Sequence, residues 1–169
     1  MPQGFAARVG DPVMHPLPLV LSPGPGSKTC MIGFQPAWRG VPLEAVAALQ
    51  TAATAAQTAI QAAVAATAAA AGPAMPVAYA AQQALETSLA ASLGPAIQAA
   101  AAAAPMADIH LCMTPSTPLV PDGPGVVITG SATVQIDFLP ACRMGDTILE
   151  AIGPANQIAM GCPTVTIGG

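Results

Sequence analysis

One pattern occurs three times in this chain, and an internal repeat narrows the available folds more than composition can. Gly26-Ser27-Lys28-Thr29-Cys30-Met31-Ile32, Gly130-Ser131-Ala132-Thr133-Val134-Gln135-Ile136 and Gly161-Cys162-Pro163-Thr164-Val165-Thr166-Ile167 all read Gly-x-x-Thr-x-x-Ile. A second signature travels with it. Ala7-Arg8-Val9-Gly10-Asp11 aligns with Cys142-Arg143-Met144-Gly145-Asp146, and a broken copy starts at Pro36-Ala37-Trp38-Arg39-Gly40 and resumes at Ala107-Asp108. Alternating side chains bounded by glycine predict short, half-buried strands, and three such units with tight turns close a small three-sided structure. The expected fold is mainly β: a pseudo-threefold β-prism built from residues 1–40 and 107–169. The repeated Arg and Asp predict internal ion pairs, because a guanidinium and a carboxylate match in bidentate geometry.

Residues 41–106 fall between the Arg and the Asp of one repeat and have a different chemistry. Alanine, the best helix former, dominates them, and their strong breaks are Gly72-Pro73 with Pro76, and Gly94-Pro95. Val46, Leu49, Ala53, Ala56, Ile60 and Val64 recur at helical spacing on one arm, as do Leu85, Leu89, Leu93 and Ile97 on the other. An α-helical hairpin inserted into the β domain is expected. It should be a lateral appendage whose removal spares the prism. Gln50, Gln57, Gln61, Gln82, Gln83 and Glu86 interrupt both arms and argue against a pair of transmembrane helices.

Charge narrows the function. Four Lys and Arg against eight Asp and Glu leave a net charge of −4 and no basic patch, which excludes nucleic acid as a ligand. With only 7% of residues charged, the surface suits a protein covered by partners. Met1 to Val20 lacks the basic and then apolar pattern of a secretory signal, so a cytoplasmic start is expected. Cys30, Cys112, Cys142 and Cys162 are too dispersed for a disulfide framework and read as buried thiols or a metal ligand. Trp38, beside the insertion boundary, is expected to pack on the hairpin. No Ser, His and acid set recurs in the manner of nucleophilic catalysis.

Counting from each repeated Asp exposes a candidate site. Four residues after Asp11, Asp108 and Asp146 stand His15, Cys112 and Glu150, each able to bind a metal. His110 lies two residues from Cys112, so both project to one face of a strand, and Asp122 follows in the downstream loop. Zinc takes four N, S or O donors in a tetrahedron and could hold together a tip with little core of its own. The metal set is read as His15, His110, Cys112 and Asp122, with Glu150 the alternative fourth ligand.

Pro36-Ala37-Trp38-Arg39 and Pro140-Ala141-Cys142-Arg143 resemble the motif of the proline-alanine-alanine-arginine (PAAR) repeat family. Ala6 to Asp11 resembles the opening of such a domain, and Gly153-Pro154, Ile158 to Cys162 and the terminal Thr-Val-Thr-Ile-Gly-Gly resemble its close. The resemblance implies a small conical domain that caps the trimeric VgrG-type spike of a type VI secretion system or related contractile injection system. Such a protein waits in the bacterial cytoplasm, is exported at the spike tip and touches the target membrane in passing. It carries or recruits effectors, here through the insertion. The family's zinc, held by three histidines and one cysteine, maps onto His15, His110 and Cys112; Asp122 and Glu150 depart from that set. Such a cap is not an enzyme. A small metal-dependent hydrolase using the same His, Cys and acid residues is the alternative.

Overall fold

Ala6-Ala7-Arg8, Ala37-Trp38-Arg39 and Ala141-Cys142-Arg143 meet in the computed structural model of the protein, which describes residues 3–15, 19–103, 106–114 and 120–168. The Ala7 N–H donates to the Cys142 carbonyl at 2.9 Å, Cys142 to Trp38 at 3.1 Å, and Trp38 back to Ala7 at 2.9 Å. These three hydrogen bonds close on themselves. The bridges Ala6 to Arg143, Arg8 to Ala37 and Arg39 to Ala141 repeat the same cycle. Such a ring needs three equivalent segments, which is the structural reason for the triplicated signature.

Equivalent side chains then stack. Ala6, Ala37 and Ala141 form one buried cluster with Ile32, Ile167 and the partly buried Ile136, the last residues of the three Gly-x-x-Thr-x-x-Ile segments. Ala7, Trp38 and Cys142 share the next cluster with Val13, Leu21, Val127, Ile148 and Ile158. No helical residue belongs to that second cluster, so Trp38 packs at the β centre rather than on the hairpin as expected.

Each repeated Arg meets its repeated Asp. Arg8 binds the two Asp11 oxygens through Nε and Nη2 at 3.2 and 2.8 Å. Arg39 does the same with Asp108 at 3.1 and 2.9 Å, and Arg143 Nε donates to Asp146 at 3.1 Å. In all three the Asp also accepts the N–H of its own Arg, at 2.8, 2.7 and 2.9 Å. The Arg39–Asp108 pair makes these contacts across 69 positions of sequence. Residues 41–106 therefore interrupt a repeat whose two halves remain joined.

The Gly-led segments depart from the expectation of three equal strands. Only β13 (Cys162–Ile167) is continuous, paired with β1 (Gly4–Ala6); the other two reduce to β5 (Met31–Ile32) and β9 (Gln135–Ile136). Serine is the cause. Ser27 Oγ accepts the N–H groups of Thr29 and Cys30, and Ser131 Oγ those of Thr133 and Val134, which turns the backbone before a strand can start. The third copy has Cys162 there instead. β5 and β9 turn into β6 (Gln35–Pro36) and β10 (Leu139–Pro140) through two-residue hairpins. Both central residues of each turn have positive φ: Gly33 and Phe34 in one, Asp137 and Phe138 in the other.

The largest sheet has five antiparallel strands in the order β12 (Asn156–Gln157), β11 (Thr147–Glu150), β8 (Gly123–Val127), β7 (Ile109–Cys112) and β4 (Pro23–Gly24). A further pair joins β2 (Pro12–Val13) to β3 (Leu19–Val20). With 36% helix and 28% strand, and no closed barrel among the described residues, the fold is mixed α/β, a correction to the mainly β expectation. The helices outweigh the strands because the insertion is long and nearly all of it is helical.

α1 (Leu43–Ala69) and α2 (Ala74–Ala102) form the hairpin. Pro76 lies in the first turn of α2, where its missing N–H has no helical acceptor to lose. The helix also continues through Gly94-Pro95, which the sequence marks as a break. Burial of Leu93, Ile97 and Ala101 on either side, with Gly94 close against Pro124, offsets the lost hydrogen bond. Leu49, Ala53, Ala56, Leu93, Ile97 and Ala101 share one core with Val126, Ile128, Leu139, Leu149 and Ala151 of the β region. The near half of the hairpin is thus part of the main core, while residues 64–81 contain no buried side chain. Val64, expected on the inner stripe, is exposed; Gln82 and Glu86, read as interruptions, are buried, with Gln82 Nε2 donating to Glu86 Oε1 at 2.8 Å.

Candidate metal centre

Three strands of the large sheet set up the site by register. His110 pairs with Gly125 and Gly125 with Glu150, so the three form one row across β7, β8 and β11. Cys112 pairs with Gly123 one row along, on the same face as His110 because two residues separate them. Glycine in the middle strand keeps this row uncrowded. A Cβ on Gly125 would stand 3.0 Å from Glu150 Cγ.

Asp122 enters from the residue before β8, its carbonyl accepting the N–H groups of Ala151 and Ile152 at 3.1 and 3.3 Å. Its carboxylate fits only because residue 153 is glycine: a Cβ there would lie 2.5 Å from Asp122 Cγ. His15, two residues beyond β2, brings Nε2 to 3.1 Å from Asp122 Oδ2 and 3.4 Å from Cys112 Sγ. Thr114 orients two of the donors. Its hydroxyl lies 3.2 Å from His15 Nδ1, and its carbonyl accepts from Cys112 Sγ at 3.2 Å.

His15, Cys112, Asp122 and Glu150 each place one donor atom within 4.8 Å of the others. All three residues found by counting four from the repeated Asp are in this set, together with Asp122. His110 is not. Its Nε2 lies 3.7 Å from Glu150 Oε1, beside the group rather than within it. The side chains of His15 and Asp122 are each 1% exposed, and Cys112 and Glu150 are equally inaccessible.

Electrostatics make this cluster uneasy without a cation. Burial pushes the Glu150 carboxyl up to about 8, with the Asp122 charge adding to it; the nearby Asn156 amide offsets part of this without making a well-formed hydrogen bond. Burial likewise raises the Cys112 thiol, opposed by Thr114 and reinforced by the Glu150 and Asp122 charges. The His110 ring is held down to about 4, by burial first and by His15 as well, against an opposing effect of the Val20 backbone. Both Glu150 oxygens and both His110 ring nitrogens are buried without a hydrogen-bond partner. Orphaned buried polar atoms beside an imidazole, a thiol and a second carboxylate fit a bound metal ion, which reverses the penalty on anionic donors.

Thr114 was the functional residue the sequence did not reveal; only its spacing of two from Cys112 hinted that it would share the site. None of the four cysteines is in a disulfide. Comparison with protein-family models, with curated proteins and with solved structures finds no match for this chain.

Proposed function

We propose that this protein is the non-enzymatic tip of a contractile injection machine, a conical PAAR-type prism that caps a trimeric VgrG-type spike. The observation that carries the reading is the closed cycle of hydrogen bonds among Ala7, Trp38 and Cys142. One chain with internal threefold repetition can sit on the axis of a trimer and meet each subunit in an equivalent way. Exposure marks the docking end. Phe34 and Phe138, at the two hairpin tips, are 97% and 85% exposed at φ 66° and 65°, and Met31, Val134 and Val165 lie open nearby in the same segments. A large aromatic held in left-handed backbone and in water is costly unless a partner uses it.

Within this reading the His15, Cys112, Asp122 and Glu150 group holds a structural zinc ion. It would tie the segment at residue 15 to those at 112, 122 and 150, and the burial of all four donor side chains supports a structural ion over a catalytic one, which needs an open position. No observation favours the hydrolase alternative. The far half of the hairpin is the surface for an effector or accessory protein. From residue 45 to 85 it carries no charge, Met75, Val77 and Tyr79 are exposed, and a cavity of about 350 Å³ opens between Ile60, Val64, Ile152 and Pro154. No helix among the described residues is long and apolar enough to cross a membrane.

The test is co-migration with a trimeric spike protein of the same organism on size exclusion. Wild type is expected to co-elute and a Phe34→Ser, Phe138→Ser double variant to elute alone while keeping its melting temperature. Failure of wild type to bind any such spike would overturn the reading.

A further inference from the structure

We propose that Glu150, rather than His110, completes the metal's coordination, and that His110 is a positioning residue beside it. The inference rests on the metal reading above and concerns which residues of this chain hold the ion. Sheet register separates the two candidates. Cys112 shares a face with His110, but the carboxylate that reaches toward Cys112, His15 and Asp122 belongs to Glu150, across the side-chain-free Gly125. His110 stands at the other end of that row, outside the four-donor group, with Nε2 3.7 Å from Glu150 Oε1.

The unpartnered atoms mark both ends of this row as functional. Glu150 is 1% exposed and neither of its oxygens has a hydrogen-bond partner, a state that costs free energy in a folded interior. One of its oxygens lies within 4.8 Å of the other three donors, and the orphaned His110 imidazole stands 3.7 Å from its Oε1. Ligating carboxylates are themselves held by outer partners, and the His110 ring is the group placed to do this for Glu150. The resulting set is one imidazole, one thiolate and two carboxylates. Three of its four donors are anionic, against one of four in the family's three-histidine, one-cysteine set.

Thr114 completes the same arrangement for the other side. With His15 Nε2 turned to the cluster, Nδ1 is left to the Thr114 hydroxyl at 3.2 Å, which fixes the tautomer that binds through Nε2. Sequence spacing assigned His110 to the ion because it counted donors on one strand face. Position along that face, not the face itself, decides.

The experiment uses the full chain stripped of metal, titrated with Co²⁺ as a spectroscopic probe and with Zn²⁺ against a chromophoric chelator. Wild type is expected to bind one ion and to give a thiolate-to-cobalt charge-transfer band with intense tetrahedral d–d bands. Glu150→Ala should change the d–d bands and weaken Zn²⁺ by more than the about 10- to 100-fold that loss of an outer partner costs, while His110→Ala should keep the bands and stay within that range. Gly125→Ala alters neither side chain yet crowds Glu150 Cγ, so it should weaken Zn²⁺ with the protein still folded by circular dichroism. If His110→Ala changes the bands and Glu150→Ala does not, the assignment is wrong. Should wild type bind no stoichiometric metal, this inference and the zinc reading both fall, and spike binding, measured separately by co-migration, is untouched.

Discussion

The β repeats and the helical hairpin share one chain and use opposite means of holding it together. In the β region ten of the chain's twelve charged residues are gathered, and the three repeated arginines each grip a carboxylate while threefold-related backbone segments close a ring. The hairpin has only Glu44 and Glu86 and relies on alanine packing that is tight beside the sheet and ends before residue 64. Directional contacts fix one register; graded apolar contacts allow part of an element to belong to the core and the rest to stand away from it.

That difference can be broken from the hairpin side first. Replacing residues 41–106 with a short linker uncovers Val126, Ile128, Leu139 and Leu149, each worth about 1.5–3 kcal/mol when buried, a loss comparable with the whole stability of a typical domain at about 5–15 kcal/mol. Such a chain should fail to give a cooperative urea transition. This reverses the expectation that the prism survives removal, and a cooperative transition would restore it.

Breaking the β side calls for a single carboxylate. Asp108→Ala leaves Arg39 7% exposed with its main partner gone, and should cost about 3–5 kcal/mol in urea unfolding. Asp11→Ala, beside the 19% exposed Arg8, should cost less, about 1.5–3 kcal/mol. Equal losses would show that burial does not set the ranking of the repeats.

Two milder variants sharpen the boundary inside the hairpin. Ile97→Ala, at 1% exposure, should cost about 2–5 kcal/mol, whereas Val64→Ala should stay within about 0.5 kcal/mol. Replacing residues 64–81 with a tight turn joins positions that face each other, as Thr67 and Ala78 do, and should move the melting temperature by only a few degrees. A large drop there would mean that the far half is also core.

Much of this was legible in the residues. The Arg–Asp pairs, the split repeat and the two helical arms followed from spacing, because a repeat fixes equivalent positions whatever lies between them. Counting four from Asp11, Asp108 and Asp146 reached His15, Cys112 and Glu150, and the pairing with Asp122 came from its downstream position. What escaped depended on contacts between distant segments. Ser27 and Ser131 shorten their strands through their own side chains, Gly94-Pro95 is carried by packing on β8, and Trp38 turns to the β centre, into one cluster with Ala7 and Cys142. His110 and Glu150 could be ranked only once the register of β7, β8 and β11 was known.

The central claim, that an internally threefold chain caps a threefold partner, is tested most directly by the mass of its complex with a trimeric spike, measured by native mass spectrometry. One copy of this chain on each trimer is the predicted result. Three copies per trimer, or no complex at all, would contradict it.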